Sequence, residues 1–380
     1  MNRTVLTTFD DRLFNIFIIL FFLFPMTAQA DTSPRNANEY VIDSSYHPLG
    51  NELVAVLHLP EGASAENPVA GCAIIHGSGG LFKEISPGQS CSQNVENSYQ
   101  KLSDRLLNAG IATIMPSSFY SRDERFCEDN DSDYIAYGAA PFFNGDDPIT
   151  RDTSYKLRRV AIRTMDMVAT MAFFCDLEQV DCNKTCMIGT SNGGTSIMSY
   201  TAQSLPKDLS KFIGEQKRPF EYNSTHAKRN VAFANFPELT VSEENLQQQL
   251  SERPLPRFGQ LISPGCSMRD LVADIEPGNE SKSYALNELF YPANDSQLIV
   301  EVGTLDSVPG ECYIDAPNGE GLREIQAKHF EQQMVIAPQD SRYQVHIHQG
   351  GAHNLLDDDD IYASDILNRL DILVEQQLLY

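Results

Sequence analysis

The strongest constraint on the fold of this chain is a series of short apolar runs unbroken by polar alternation. Residues 69–75 are the first, residues 111–115, 185–188, 258–263 and 298–302 repeat the pattern, and residues 343–348 form a last, more polar run. A strand with one wet face alternates polar and apolar side chains, whereas a strand covered on both faces does not, and parallel strands are of the covered kind. Upstream, residues 40–43 and 52–59 read as the two edge strands of an opening hairpin, the second carrying Leu53-Val54-Ala55-Val56-Leu57. Helical spacing fills the gaps. Leu102, Leu106 and Leu107 mark a helix over 98–109, with Gly110 placed to end it. Leu157, Val160, Ala161, Met165, Val168 and Met171 mark a long helix over 152–174, and further helices are expected at 192–202 and 361–379. This rhythm predicts a mostly parallel, eight-stranded sheet with helices on both faces.

The first thirty residues stand apart. Leu13 to Met26 is almost wholly apolar and leads into Thr27-Ala28-Gln29-Ala30, a small-x-small pattern, so residues 1–30 read as a cleavable export signal. The run falls short of the ~20 apolar residues that span a bilayer, so no membrane anchor is expected after cleavage. Residues 31–380 then form one domain, with lid-like insertions at about 119–150 and 203–256 that break the alternation and leave from the edge where the strands end. A polar helix is expected at 242–251 inside the second insertion.

Arg3 and Arg12 offset Asp10 and Asp11, so removing the signal leaves the formal net charge of −24 unchanged. Such a surface repels phosphate backbones, which argues against a nucleic-acid partner. All eight cysteines lie beyond residue 30, and an even count behind an export signal predicts structural disulfides.

The chemistry centres on Gly189-Thr190-Ser191-Asn192-Gly193-Gly194, directly after the run 185–188. This is a G-x-S-x-G elbow, a sharp strand-to-helix turn that projects the serine hydroxyl. A serine needs a base, and the base needs an orienting carboxylate. His353 follows the last strand in Gln349-Gly350-Gly351-Ala352-His353-Asn354, and Asp306 stands just beyond the strand at 298–302, with Asp315 as its substitute. Ser191, Asp306 and His353 thus sit at strand carboxyl ends in the order an α/β-hydrolase requires. The oxyanion that develops in acyl transfer needs N–H donors, and Ile74-Ile75-His76-Gly77-Ser78-Gly79-Gly80 supplies a suitable loop. The expected donors are the backbone N–H groups of Asn192 and Ser78, with Gly79 in reserve. His76 reads as a brace for that loop, since it precedes the elbow.

His346-Ile347-His348 puts two imidazoles ~7 Å apart on one strand face, but no Asp, Glu or Cys neighbours them at ligand spacing. A polar face on a terminal strand accounts for both. Asp357 to Asp360 reads as a solvated loop without calcium-ligand order. No metal or cofactor is expected.

With elbow, oxyanion loop, acid and histidine loop in place, the chain resembles the dienelactone-hydrolase-like members of the α/β-hydrolase superfamily over roughly residues 50–375. The matching stretches are His76 to Gly80, Pro116-Ser117-Ser118-Phe119 with Arg122 and Cys127, Gly189 to Gly194, Ser263-Pro264-Gly265-Cys266, and Gly303 to Asp306 with Pro309 and Cys312. The resemblance implies an α/β-hydrolase fold and a Cys266–Cys312 bridge. Dienelactone hydrolases proper carry a cysteine nucleophile where this chain has Ser191, so the resemblance implies a serine hydrolase acting on small-molecule carboxylic esters rather than lactone chemistry. An exopeptidase or amidase would share the triad, and a non-catalytic binding protein would share the scaffold.

Overall fold

The computed structural model describes residues 38–43, 52–77, 80–83, 94–118, 153–202, 243–264, 296–303, 342–356 and 361–379. In chain order these form β1 (Glu39–Asp43), β2 (Glu52–His58), β3 (Val69–Ile75), α1 (Asn97–Asn108), β4 (Ala112–Pro116), α2 (Thr153–Asp176), β5 (Val180–Thr190) and α3 (Asn192–Thr201). Then follow α4 (Glu243–Ser251), β6 (Phe258–Ile262), β7 (Gln297–Gly303), β8 (Tyr343–His348) and α5 (Ala363–Val374), which runs on into a π-helical turn at Glu375–Leu379. The export signal at 1–30, the insertion at 119–150, residues 203–242 of the second insertion, and Cys266 and Cys312 lie outside the described residues. No described helix is long and apolar enough to cross a membrane.

The strands make one eight-stranded sheet in the order β1-β2-β4-β3-β5-β6-β7-β8. From β4 across to β8 the pairing is parallel, as the unbroken apolar runs predict. The opening hairpin is antiparallel, with Glu39 opposite Val56 and Asp43 opposite Glu52. Of the two hairpin strands, however, only β1 lies at the edge of the sheet. β2 also pairs antiparallel with β4, Ala55 opposite Pro116 and His58 opposite Thr113, which corrects the expectation of two edge strands. The reason lies in its side chains: Leu53, Ala55 and Leu57 enter one core and Val56 the other, so β2 needs cover on both faces.

Two cores flank the sheet, and period-2 alternation divides each strand between them. Ala73 and Ile75 of β3 face a core built with Met165, Met171 and Phe174 of α2 and Ile197 and Met198 of α3. Cys72 and Ile74 face the other core, built with Tyr99, Leu102 and Leu106 of α1 and Ile366, Leu370 and Leu373 of α5. Arg105 and Asp371 tie α1 to α5 along that second face. Gly110 ends α1 as expected, at φ 79°.

Two elements differ from their sequence outlines. β5 begins at Val180, well before the apolar run, because Val180 pairs with Val69 ahead of a register shift that brings Gly71 opposite Thr185. The closing helix is α-helical only to Val374, after which the π turn keeps Leu378 buried.

Two disulfides lie among the described residues. Cys175–Cys182 joins the end of α2 to β5, and Cys72–Cys186 joins β3 to β5 across directly paired positions, Cα to Cα 4.4 Å. No described cysteine is free.

Candidate active site

β5 delivers Ser191 into the turn before α3 with φ 50° and ψ −121°. A non-glycine residue there is strained by about 1–3 kcal/mol and holds only where its surroundings enforce it. The Ser191 N–H donates to the Ile262 carbonyl of β6 at 2.8 Å, and its own carbonyl accepts the Thr195 N–H at 3.2 Å. Two glycines let the turn close. A Cβ on Gly189 would lie 2.6 Å from the Gly193 carbonyl carbon, and one on Gly193 would run into the Ile75 carbonyl oxygen and lie 2.7 Å from that of His76. The elbow read from the sequence is therefore a strained strand-to-helix turn pressed against the end of β3. Pro264, from the Ser263-Pro264 match, packs on Gly194 from the β6 side.

The loop after β3 lies against this turn. A Cβ on Gly77 would sit 3.3 Å from the Ser191 Cβ. The Gly77 N–H donates to Tyr99 Oη at 2.8 Å, and the Gly80 N–H donates back to the Gly77 carbonyl at 3.3 Å. Those two N–H groups are committed, one to Tyr99 of α1 and the other within the loop. Ser78 and Gly79, the expected donor and its reserve, lie between them and outside the described residues. Asn192 is described: it is buried, and its backbone N–H belongs to the first turn of α3, where a helix supplies no acceptor of its own.

His76 is the brace the sequence suggested. It is fully buried, its Nδ1–H donates to the Gly77 carbonyl at 2.6 Å, and its Nε2 accepts the Ser118 N–H at 3.1 Å. Those partners admit only the neutral Nδ1–H tautomer. Burial pushes its pKa well down and the nearby Arg163 charge pushes it further, outweighing the bond to Gly77. Tyr99, on α1, couples the loop to the elbow: besides accepting from Gly77 it hydrogen-bonds Thr190 Oγ1 at 3.0 Å, and burial raises its pKa. Arg163, on α2, is fully buried and donates to the His76 carbonyl at 2.5 Å and to Asn192 Oδ1 at 3.0 Å. Sequence reasoning found neither residue. Tyr99 lies in the stretch read as a helix without being marked on its apolar face, and an arginine in a helix looks like a solvated one.

His353 sits half-buried in the loop after β8. Gly350 takes φ 83° there, and the Gly351 N–H closes the turn on the His348 carbonyl at 3.1 Å. Gly303, the last residue of β7, touches this loop directly: a Cβ on it would run into the Gly351 carbonyl oxygen and lie 2.7 Å from that of Ala352. Asp306 is three residues beyond Gly303, and both it and Asp315 lie outside the described residues. The structure thus brings the carboxyl end of β7 against the loop that carries His353.

Beneath that loop is a buried ionic cluster the sequence did not reveal. Glu301 of β7 accepts from His348 Nε2 at 2.9 Å, from Arg369 Nε at 2.8 Å and from Gln260 Nε2 at 3.1 Å. Burial pushes the Glu301 pKa up, but the His348 bond, the Arg369 charge, the Gln260 bond and nearby His346 together hold it below the ordinary carboxylate value. His346 and His348 therefore do not form a wet polar face. The register sets Glu301 directly opposite His346, a carboxylate neighbour that sequence spacing could not show. Among the described residues no group of three or more His, Cys, Asp or Glu is arranged to hold a metal ion.

A sheet of this order, with an antiparallel second strand, a strained serine turn after β5, a glycine loop after β3 and a histidine loop after β8, is the α/β-hydrolase fold. No protein-family model matches the chain, and no curated protein matches it. Among solved structures it is similar to Thermogutta terrifontis esterase 2 phosphorylated by paraoxon, with 13% identity over 90% of this chain and 96% of that one at a TM-score of 0.48. It is similar to the butyrate-bound form of that esterase, with 13% identity over 90% of this chain and 95% of that one at 0.48. A third likeness is to a dienelactone hydrolase-like promiscuous phosphotriesterase from metagenomic libraries, with 11% identity over 90% of this chain and 98% of that one, again at 0.48. At these scores the fold assignment rests on the strand order and the site geometry, not on the likenesses.

Proposed function

We propose that this protein is an exported serine hydrolase that cleaves small-molecule carboxylic esters through an acyl-enzyme on Ser191. The observation that carries the reading is the strained Ser191 turn pressed against the loop after β3. Nothing in packing alone calls for a serine at φ 50°, and such strain gathers where a side chain must be presented.

In this reading His353 takes the proton of Ser191 Oγ as the oxygen attacks the ester carbonyl, and Asp306 orients the imidazole. The carbonyl oxygen becomes an oxyanion held by the N–H groups of Asn192 and Ser78. Collapse expels the alkoxide, which leaves as the alcohol with the proton from His353. A water then gives a proton to His353 and attacks the acyl carbon; collapse breaks the acyl–Oγ bond, His353 returns the proton to Ser191 Oγ, and the acyl group leaves as the carboxylic acid. Neutral His76, held as a hydrogen-bonded brace, leaves the base role to His353. The two disulfides support export to an oxidising compartment. Esterase chemistry is what the similar structures' descriptions state of those proteins; here it is a reading of the site.

The test is labelling by a fluorophosphonate probe together with turnover of a chain-length series of acyl esters. Wild type should label and turn over esters, and Ser191→Ala should do neither. Labelling that survives Ser191→Ala sinks the assignment. Cleavage of peptide amides with esters at background rates would instead make it an amidase or exopeptidase, and an unlabelled, inactive but folded protein would make it a binding protein on this scaffold.

A further inference from the structure

We propose that Arg163 is a positioning residue of the oxyanion hole, tying His76 at the end of β3 to Asn192, the first residue of α3; the proposal rests on the serine-hydrolase reading above. A guanidinium in a protein core is costly unless it is well bonded, so packing alone does not explain a fully buried arginine. Its two recorded acceptors belong to two different strand ends. One is the carbonyl of His76, immediately before Gly77, and the other is the side chain of Asn192, immediately after Ser191. These are the two segments that must each contribute an N–H to one oxygen atom.

Only a planar fork spans two such acceptors at fixed angles, and an ammonium does not. The positive charge also reaches the site electrostatically. It depresses the pKa of His76 after burial has done so, and it acts in the same sense on Tyr99. A charge felt at these two residues, both bonded to Gly77, also favours negative charge building up beside Gly77. Asp166, one helical turn further along α2, is fully buried too, so this stretch of helix carries polar side chains into the core.

The test compares an acyl ester with its thionoester, in which sulfur replaces the carbonyl oxygen. The longer C–S bond and diffuse sulfur charge fit oxygen-spaced donors poorly, so loss of the hole penalises the ester more. Wild type, Arg163→Gln, Arg163→Lys and Asn192→Ala are assayed for kcat and KM on both substrates. Arg163→Gln should lower the ester kcat about 10²-fold with KM within about twofold, and lower the ester-to-thionoester ratio of kcat/KM at least about tenfold. Arg163→Lys should recover part of that ratio. Asn192→Ala, which keeps its backbone N–H, should lower the ratio about threefold and decides the matter if Arg163→Gln does not fold. An unchanged ratio in Arg163→Gln, or in Asn192→Ala if the former is unfolded, overturns the proposal. Ser191→Ala is run in parallel. If it retains ester turnover, the hydrolase reading fails and the proposal falls with it, a result distinct from an unchanged ratio in a serine-dependent enzyme.

Discussion

Breaking the Cys72–Cys186 bridge should cost the protein more stability than breaking Cys175–Cys182, and the structure sets the difference. The first closes a loop of sequence separation 114 and the second one of 7. In the chain-entropy treatment the freedom removed from the unfolded chain grows with the logarithm of loop length, giving about 5 kcal/mol for the long loop and about 2 kcal/mol for the short one. The short loop lies inside the long one, but shortening the latter by a few residues changes its value by under about 0.1 kcal/mol. Cys72 and Cys186 are both fully buried, so replacing them also leaves a cavity, which must be separated out. The assay is guanidinium unfolding of wild type and Cys72→Ala/Cys186→Ala, each with and without reductant. Subtracting the variant's oxidised-to-reduced gap from that of wild type leaves the bridge alone, because the cavity and the other cysteines are common to both arms. The same cycle on Cys175→Ala/Cys182→Ala gives the reference. A gap of about 2.5 kcal/mol in favour of the long loop is expected. Equal contributions, or the reverse order, would refute the loop-entropy reasoning and place the effect in the folded state.

Gly193→Ala should lower kcat/KM at least about 10²-fold, since its Cβ meets the backbone of Ile75 and His76, which cannot yield without moving the elbow; activity within tenfold of wild type would contradict this. Tyr99→Phe should destabilise by about 1–3 kcal/mol in denaturant titration, because the buried Gly77 N–H and Thr190 hydroxyl lose their shared partner. Glu301→Gln should lose about 3 kcal/mol at neutral pH, because one amide oxygen cannot accept from both His348 and Arg369 and the amide nitrogen is set against the other donor. It should also flatten the acid limb of stability. The Glu301 pKa is held below its unfolded value of 4.5, so its contribution is present above that pH and is lost as pH falls through the folded value. Unfolding free energies measured from pH 3 to 6 that fall as steeply in the variant as in wild type would show that this carboxylate is not the source.

What could be read from the sequence was local. The elbow, the loop after β3 and the histidine loop each announce themselves through glycines whose need is steric and short-range, and the apolar runs 69–75 and 298–302 mark β3 and β7 because both faces of each strand are covered. The start of β5 was hidden because Asp181, Asn183 and Lys184 break the apolar pattern where the strand begins, and pairing with Val69 overrides it. The Cys72–Cys186 bridge needed β3 and β5 to be neighbours, which no spacing between them states. Glu301 stands in an otherwise apolar strand, and only the register with β8 and the approach of Arg369 from α5 show why a carboxylate is tolerated there.

The two halves of the candidate site are built by different devices, and this separates their perturbations. β3 lies between β4 and β5; the connection leaving β3 runs to β4 and the one leaving β5 runs to β6 on the other side, so the loops at these two carboxyl ends flank a crevice. That crevice is where two non-consecutive segments can offer N–H groups to one oxygen, and α2, packed under it, reaches both with Arg163. The His353 side depends instead on simple adjacency, β7 beside β8, with Gly303 against Gly351 and the Glu301 cluster below. Loss of Glu301 should therefore act on the His353 arm and lower ester and thionoester turnover alike, leaving their ratio near that of wild type, whereas loss of Arg163 shifts the ratio. In the double variant Arg163→Gln/Glu301→Gln the logarithms of the two kcat effects should add to within about 0.5 kcal/mol, as expected of sites that share no partner. A strong departure from additivity would mean that the two strand pairs transmit their placement to each other, and that the crevice and the histidine arm are one rigid unit.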